Sequence, residues 1–175
     1  MKTNRIVLAS LFLALGLIIP YVCGHAAGIP GTVLLPMHLS VFVAGMVLGP
    51  VYGLGIGLLT PVLSMMLTGM PSGTTLITMI VELGVYGYVS GFACHSKSKK
   101  SLYIYLVMAM IAGRIAYAIV LFIGKDIFQI EAAAILLKVW SAFTTGLIGV
   151  GLQFLLVPPI VVAIRKVVKD DRYSE

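Results

Sequence analysis

The chain has 175 residues, of which 60% are hydrophobic and 10% charged, and its mean hydropathy is +1.10. A soluble domain carries roughly 25% charged residues, so this composition excludes a soluble domain, and with it a secreted disulfide scaffold, a nucleic-acid-binding module or a disordered tail. In a membrane protein the positions of Lys and Arg indicate the topology, so the net charge of +6 does not predict a nucleic-acid partner. At about 20 residues per spanning helix, we expect residues 1–175 to form a single membrane domain of about six helices.

The first predicted helix spans about residues 6–22. Lys2 and Arg5 precede it and no signal-peptidase pattern follows it, so we predict a retained helix whose N-terminus is cytoplasmic. The basic loop at 96–101 and the tail from Arg165 onwards are predicted to be cytoplasmic as well. Nine of the twelve Lys and Arg residues then lie on the cytoplasmic side, which agrees with the positive-inside rule.

The apolar stretch 34–68 is predicted to be two helices. As one helix it would be about 50 Å long, well beyond a hydrocarbon core of about 30 Å. Gly49-Pro50 divides it, because proline removes a helix hydrogen bond and disfavours helical geometry at the residue before it. We therefore predict helices at about 34–48 and 51–68, joined by a tight cytoplasmic turn.

The rest of the chain contains three more apolar stretches. The last is expected to stop at a Pro158-Pro159 break and to continue as an interfacial segment to about residue 168. The predicted fold is an all-α integral membrane protein, a bundle of six transmembrane helices with both termini cytoplasmic. The three remaining helices are predicted at about 74–94, 102–124 and 132–157, and the loops outside the cell at 23–33, 69–73 and 125–131.

Small residues recur every four positions, at Gly45, Gly49, Gly53 and Gly57. No strand precedes this run and no Lys-Ser/Thr follows it, so it is not typical of a phosphate loop. Close helix packing explains it, because small residues let helix backbones approach each other in a membrane. The same spacing recurs at Gly87/Gly91, Ala109/Gly113, Ala112/Ala116 and Ser10/Ala14.

Three charged residues, Glu82, Arg114 and Lys138, fall inside predicted spans, where a charge costs about 2.5–3.5 kcal/mol. Glu82 could pair with either cation and clamp the bundle. One cation would remain, and a ligand carboxylate could satisfy it through charge-assisted hydrogen bonds. Lys138 could instead extend to the membrane surface. Each charge shares a helical face with polar or soft side chains: Thr78 and Tyr86, Met110 and Tyr117, and Ser141 and Thr145, respectively.

Further candidate ligand contacts are aromatic. His38 could bind a ligand or pack in the core, and the rings of Tyr86, Tyr117 and Trp140 could stack on a planar ligand or anchor the helices at the interface. Known protease, hydrolase and Walker motifs are missing, so we predict no enzymatic activity, no cofactor and no metal site. The candidate substrate-binding residues are Glu82, Arg114, Lys138, His38, Tyr86, Tyr117 and Trp140.

Motifs in the middle of the chain resemble the substrate-binding S components of energy-coupling factor (ECF) transporters. The resemblance rests on the run LPMHLSVFVAGMVLGP at 35–50, GLGIG at 53–57, Pro61, TGMP at 68–71 and ELGVYG at 82–87. It extends from the first helix to the last and is weakest in the last two, where substrate choice would be set.

The resemblance implies a multi-pass protein of the bacterial cytoplasmic membrane that captures a vitamin or related micronutrient from outside. Import would require a separate T component and two cytoplasmic ATPase subunits. The loop 23–33 would cover the pocket, and Ser10 and Ala14 would contact the T component, although periodicity alone favours packing of this pair within the chain. The loaded protein would dock on the T component and topple in the membrane to release its ligand.

The sequence leaves the substrate open. The excess of intramembrane cations favours an anionic or zwitterionic compound, and pantothenate is the first candidate. A queuosine precursor or other nucleobase-like compound held by Glu82 is the alternative within the family. Outside it, the chain could be an ion-coupled carrier working alone, with Glu82 as the ion site, or a membrane scaffold whose charges only clamp helices.

Overall fold

A computed structural model describes residues 2–25, 36–96, 98–128 and 131–170, and these ranges are almost entirely helical. The predicted loop 23–33 lies largely outside the described residues, because α1 reaches His25 and the description resumes at Pro36. The helices are α1 Lys2–His25, α2 Pro36–Leu48, α3 Pro50–Thr68, α4 Gly73–Gly91, α5 Lys99–Ile123, α6 Ala132–Thr145 and α7 Leu147–Asp170, with short helical turns at Phe92–His95 and Lys125–Phe128.

Five stretches of described residues are long and apolar enough to cross a membrane. They are Arg5–Val22, Pro50–Thr68, Gly73–His95, Lys99–Ile123 and Ala134–Val167. The α2 helix has 13 residues and is about 20 Å long, shorter than a hydrocarbon core. The all-helical membrane fold is thus confirmed, whereas six crossings and cytoplasmic termini remain predictions.

The short α2 helix forms the centre of the bundle. It packs against α1, α3, α4 and α7, and all but two of its residues are buried. A helix that is apolar all round is stable only when neighbours surround it. The predicted division at Gly49-Pro50 is confirmed: α2 ends at Leu48, Gly49 adopts a φ of 101°, which favours glycine, and Pro50 begins α3.

Glycines bring α3 and α4 into backbone contact. A Cβ atom on Gly53 would collide with the carbonyl oxygen of Gly87, and one on Gly57 would collide with that of Leu83. Gly45 of α2 meets the same Gly87 carbonyl. The predicted close packing is therefore confirmed at Gly45, Gly53, Gly57 and Gly87, and it holds α4 tightly against α2 and α3.

The predicted break at Pro158-Pro159 was wrong. The α7 helix runs from Leu147 to Asp170 through both prolines, and the predicted single helix 132–157 is instead divided at Gly146. Prolines are tolerated in membrane helices because packed neighbours compensate for the lost hydrogen bond, and Pro158 is buried. Glycine ends α6 because it is a poor helix former and lacks a side chain to pack.

Arg165, near the end of α7, joins three elements. Its Nη1 donates to Ser96 O at 2.7 Å, and its Nη2 donates to Met46 O at 2.7 Å and to Ala93 O at 2.8 Å. Met46 lies at the end of α2, where its carbonyl lacks an intrahelical donor because Pro50 has no N–H. Ala93 and Ser96 belong to the turn after α4, and Ala93 O also accepts from Ser96 N at 2.9 Å. The side chain therefore caps two helix ends and attaches α7 to them. We call this group of contacts the Arg165 clamp.

The glycine contact can be tested with a matched pair of variants on α3. We expect Gly53→Ala to lower the free energy of unfolding by about 1–3 kcal/mol, because the methyl group would force α3 and α4 apart. Nothing lies within 4 Å of a Cβ on Gly55, so Gly55→Ala should be neutral or slightly stabilising. Thermal unfolding in detergent compares the two, and equal melting temperatures would contradict the packing argument.

A second pair of variants tests the Arg165 clamp. Arg165→Ala removes three hydrogen bonds and leaves Met46 O and Ser96 O without a described partner, whereas Ala93 O still accepts from Ser96 N. We therefore expect the unfolding free energy to fall by about 2 kcal/mol or more. Cys94, whose thiol donates to Val47 O at 3.3 Å, should then react faster with maleimide in a Cys23→Ser background. The neighbouring exposed cation supplies the control: Lys166→Ala should change neither quantity.

Candidate functional site

A cavity of about 260 Å³ lies between α4, α5 and α6. Six of the side chains around it carry hydroxyl groups, and Lys138 is the only charged side chain among its described lining residues. The cavity lies at the end of the bundle where the chain turns from α3 into α4. The lining residues are Thr74, Thr75, Thr78, Tyr117, Leu121, Lys138, Ser141, Ala142 and Thr145.

The polar faces predicted on three separate helices meet in this cavity. Thr74, Thr75 and Thr78 come from α4, Tyr117 from α5, and Lys138, Ser141 and Thr145 from α6. Neighbouring helices bring them together, since α5 packs along α4 and also contacts α6. Spacing along each helix predicted which residues share a face, and the tertiary packing turns those faces towards one another.

An ion pair lies one helical turn from the cavity. Arg114 Nη1 lies 3.1 Å from Glu82 Oε1, and the Tyr86 hydroxyl donates to the same oxygen at 2.6 Å. Thr78 is four residues from Glu82 and Tyr117 is three from Arg114, so the pair adjoins the cavity wall. The Glu82 side chain is 4% exposed and that of Arg114 is 23% exposed. Of the two partners considered for Glu82, the structure thus selects Arg114.

The buried histidine continues this network. His38 packs its ring 5.4 Å from that of Tyr86, centroid to centroid, and its Nδ1 has no hydrogen-bond partner among the described residues. Gln153 of α7 is also buried, and its Nε2 has no such partner within the described part of the chain. Burying an unpartnered polar atom is costly, so both atoms are available to a polar group that enters the core.

The seven predicted binding residues fall into three groups. Tyr117 and Lys138 line the cavity. Glu82, Arg114, Tyr86 and His38 form the adjoining network. Trp140 is 67% exposed on the side of α6 away from the cavity lining, which is the position of an interfacial anchor.

Sequence reasoning missed several polar residues around this site. Thr74 and Thr75 line the cavity, and their only signal was a pair of threonines directly after the turn that precedes α4. Gln153 could have been recognised as the lone polar residue in the apolar stretch 147–164 of α7. In the described ranges, no cluster of three His, Cys, Asp or Glu side chains could hold a metal ion.

The predicted partner-binding pair lies on α1. Ser10 is exposed and its hydroxyl donates to Ile6 O at 3.0 Å, whereas Ala14 is half-buried. Val7 and Leu11 are exposed on the same helix. This surface is apolar and includes the small residues Ser10 and Ala14, so its shape suits contact with either lipid or a partner helix.

Comparison with family models gives one match. The model described as "ECF transporter, substrate-specific component" matches residues 4–161, which is most of the chain. Comparisons with curated proteins and with solved structures give no match.

The ion pair makes a testable energetic prediction. Removing one partner leaves a buried charge without compensation, so we expect Arg114→Met to lower the unfolding free energy by about 3 kcal/mol. The double variant Glu82→Gln/Arg114→Met removes both charges and should recover most of that loss. Thermal unfolding of both single variants and of the double variant in detergent measures the coupling. Additive losses from Glu82→Gln and Arg114→Met would show that the two side chains do not stabilise each other.

Proposed function

Because the chain belongs to the substrate-specific components of ECF transporters, we propose that it binds a small hydroxylated anion, with pantothenate as the first candidate, in the cavity between α4, α5 and α6. The family makes it a membrane-embedded transporter subunit. The proposed role is to capture the micronutrient from outside the cell and to deliver it to a T component and two cytoplasmic ATPase subunits.

The charge around the cavity carries this proposal. Glu82 is already paired with Arg114, so that pair is neutral as a whole. Lys138 then remains as the one ammonium group among the described lining residues. Lys138 is exposed, and a single cation beside the cavity favours an anionic guest, because a carboxylate there gains a charge-assisted hydrogen bond and the ammonium group gains a counter-charge.

The hydroxyl groups support a ligand that is rich in hydrogen-bonding groups. The Thr78 hydroxyl donates to the carbonyls of Thr74 and Thr75 at 3.1 and 3.0 Å, and that of Thr145 donates to Ser141 O at 2.6 Å. Their oxygens therefore retain acceptor capacity for ligand hydroxyl and amide N–H groups. Pantothenate carries a carboxylate, two hydroxyls and an amide, which matches one cation surrounded by hydroxyl oxygens.

The proposed transport cycle depends on topology and on partners. With six crossings and cytoplasmic termini, the cavity would open to the outside, where a scarce micronutrient is met. The sequence carries no nucleotide-binding motif, so the proposed T component and ATPases would supply the energy. Ser10 and the half-buried Ala14 are the proposed contact with the T component, since small residues permit close approach of a partner helix.

Two alternative functions would require Glu82 to bind a cationic ligand or an ion. A cationic nucleobase-like ligand such as a queuosine precursor, or an ion in a stand-alone carrier, would have to displace Arg114 from the carboxylate. The anion proposal leaves that pair intact and uses Lys138. Variants of Lys138 and of Glu82 therefore separate the proposals.

The test measures small molecules bound to the purified protein. We expect mass spectrometry of extracts from the detergent-purified wild type to show one enriched hydroxylated acid, and calorimetry to show pantothenate binding. Lys138→Met should weaken that binding by about 10- to 100-fold, because it removes a charge-assisted hydrogen bond of about 1.5–3 kcal/mol.

A matched lysine outside the cavity provides the control. Lys125 lies 5.8 Å from the centre of the Phe122 ring and is not part of the cavity lining, so Lys125→Met should bind as the wild type does. Equal binding by both lysine variants would refute the anion site. An enriched basic compound that is lost in Glu82→Gln would favour the nucleobase-like alternative.

A further inference from the structure

The two sides of α6 have different surroundings. One side contributes Lys138, Ser141, Ala142 and Thr145 to the cavity wall. On the remaining surface Leu136 and Leu137 are 74% and 69% exposed. Among the α6 side chains that the structure describes, Ile135 alone is buried. The helix therefore covers the cavity without being embedded in the bundle, in contrast to α2.

The opposite wall of the cavity is held firmly. The α4 helix is in backbone contact with α3 through Gly53 and Gly87, and the ion pair of Glu82 and Arg114 connects α4 to α5. The interfaces of α6 with α5 and α7 are far smaller than those of α4 with α3 and α5. The cavity thus has one rigid wall, formed by α4 and α5, and one weakly attached wall, formed by α6.

The junction between α6 and α7 is a single residue, Gly146. Its N–H donates to Thr144 O, so it leaves the hydrogen-bond pattern of α6, and its carbonyl accepts the first bond of α7 from Val150 N at 2.8 Å. A residue that ends one helix and starts the next can absorb a change of backbone angles while both helices stay intact. Glycine has the fewest steric limits on such a change.

Lipid offers little resistance to movement of α6. Its exposed leucines lie in hydrocarbon whether the helix is close to α4 or further away, so among its described side chains only the burial of Ile135 opposes the movement. The position is then decided by polar contacts across the cavity. A ligand shifts such an equilibrium only through contacts that exist in one position and are absent from the other.

We propose that α6 is a movable wall that pivots at Gly146, and that contact between Lys138 and the anionic group of the ligand draws it against α4 and α5. The rigid wall receives the ligand first, through Thr74, Thr75 and Tyr117. Lys138 reaches the anion only when α6 closes. Selectivity for anions then arises from closure, since a neutral analogue of the same shape fills the cavity and leaves α6 open. This inference rests on the proposed function.

Spin-label distances test the movement. One label pair joins the two walls at lipid-facing positions, Ile77→Cys on α4 and Leu137→Cys on α6, in a Cys23→Ser/Cys94→Ser background. The control pair joins the two helices of the rigid wall, Ile77→Cys and Ile119→Cys. These positions are exposed and lie outside the cavity lining, so the labels leave the site open.

Without ligand, we expect a broad or two-peaked distance distribution for the α4–α6 pair and a narrow one for the control pair. Equally narrow distributions would overturn the proposal, whatever the ligand is. With saturating pantothenate, the ratio of long to short α4–α6 distances should fall by about tenfold or more, and Lys138→Met should abolish that change.

Calorimetry on the same samples separates the two proposals. If pantothenate binds and the α4–α6 distribution stays unchanged, the movable wall is refuted and the binding function stands. If pantothenate does not bind and the α4–α6 distribution alone is broad, the movable wall is supported and the proposed substrate is refuted.

Discussion

Backbone contact between α3 and α4 is the constraint on which the rest of the bundle depends. In hydrocarbon no water is released when helices meet, so close approach and internal polar pairing have to supply the attraction. Gly53 and Gly57 allow that approach, and α4 is thereby held against α2 and α3. The position of α4 then decides where Glu82 meets Arg114 and where the threonines of the cavity wall lie.

The bundle separates packing from recognition. The central α2 helix and its neighbours use small and apolar residues to form a tightly packed body. Polar groups collect at its margin, where two charges neutralise each other and a third lines the cavity. This arrangement suits a membrane protein because each intramembrane charge is costly, and in our proposal Lys138 alone defines the chemistry of the guest.

Residue spacing along the chain correctly predicted the features that depend on residues close together in the sequence. The division at Gly49-Pro50, the glycine contacts and the polar faces of α4, α5 and α6 could all be predicted from spacing, and membership of the family is confirmed over residues 4–161. Features that depend on tertiary neighbours could not. Pro158 and Pro159 were expected to end a helix that packing preserves, and Arg165 was assigned to a charged tail although it caps distant carbonyls. Trp140 is exposed on the side of α6 away from the cavity lining, and on a helix apolar on most sides periodicity does not identify that side.

The Arg165 clamp also bears on how the chain is made. The carbonyls of Met46, Ala93 and Ser96 leave the ribosome long before the guanidinium group that satisfies them. Ala93 O accepts from the nearby Ser96 N, but until α7 enters the bilayer Met46 O and Ser96 O have to rely on water or on lipid headgroups at the membrane surface. Insertion of the last helix therefore completes the hydrogen bonding at this end of the bundle, which the earlier helices cannot complete by themselves.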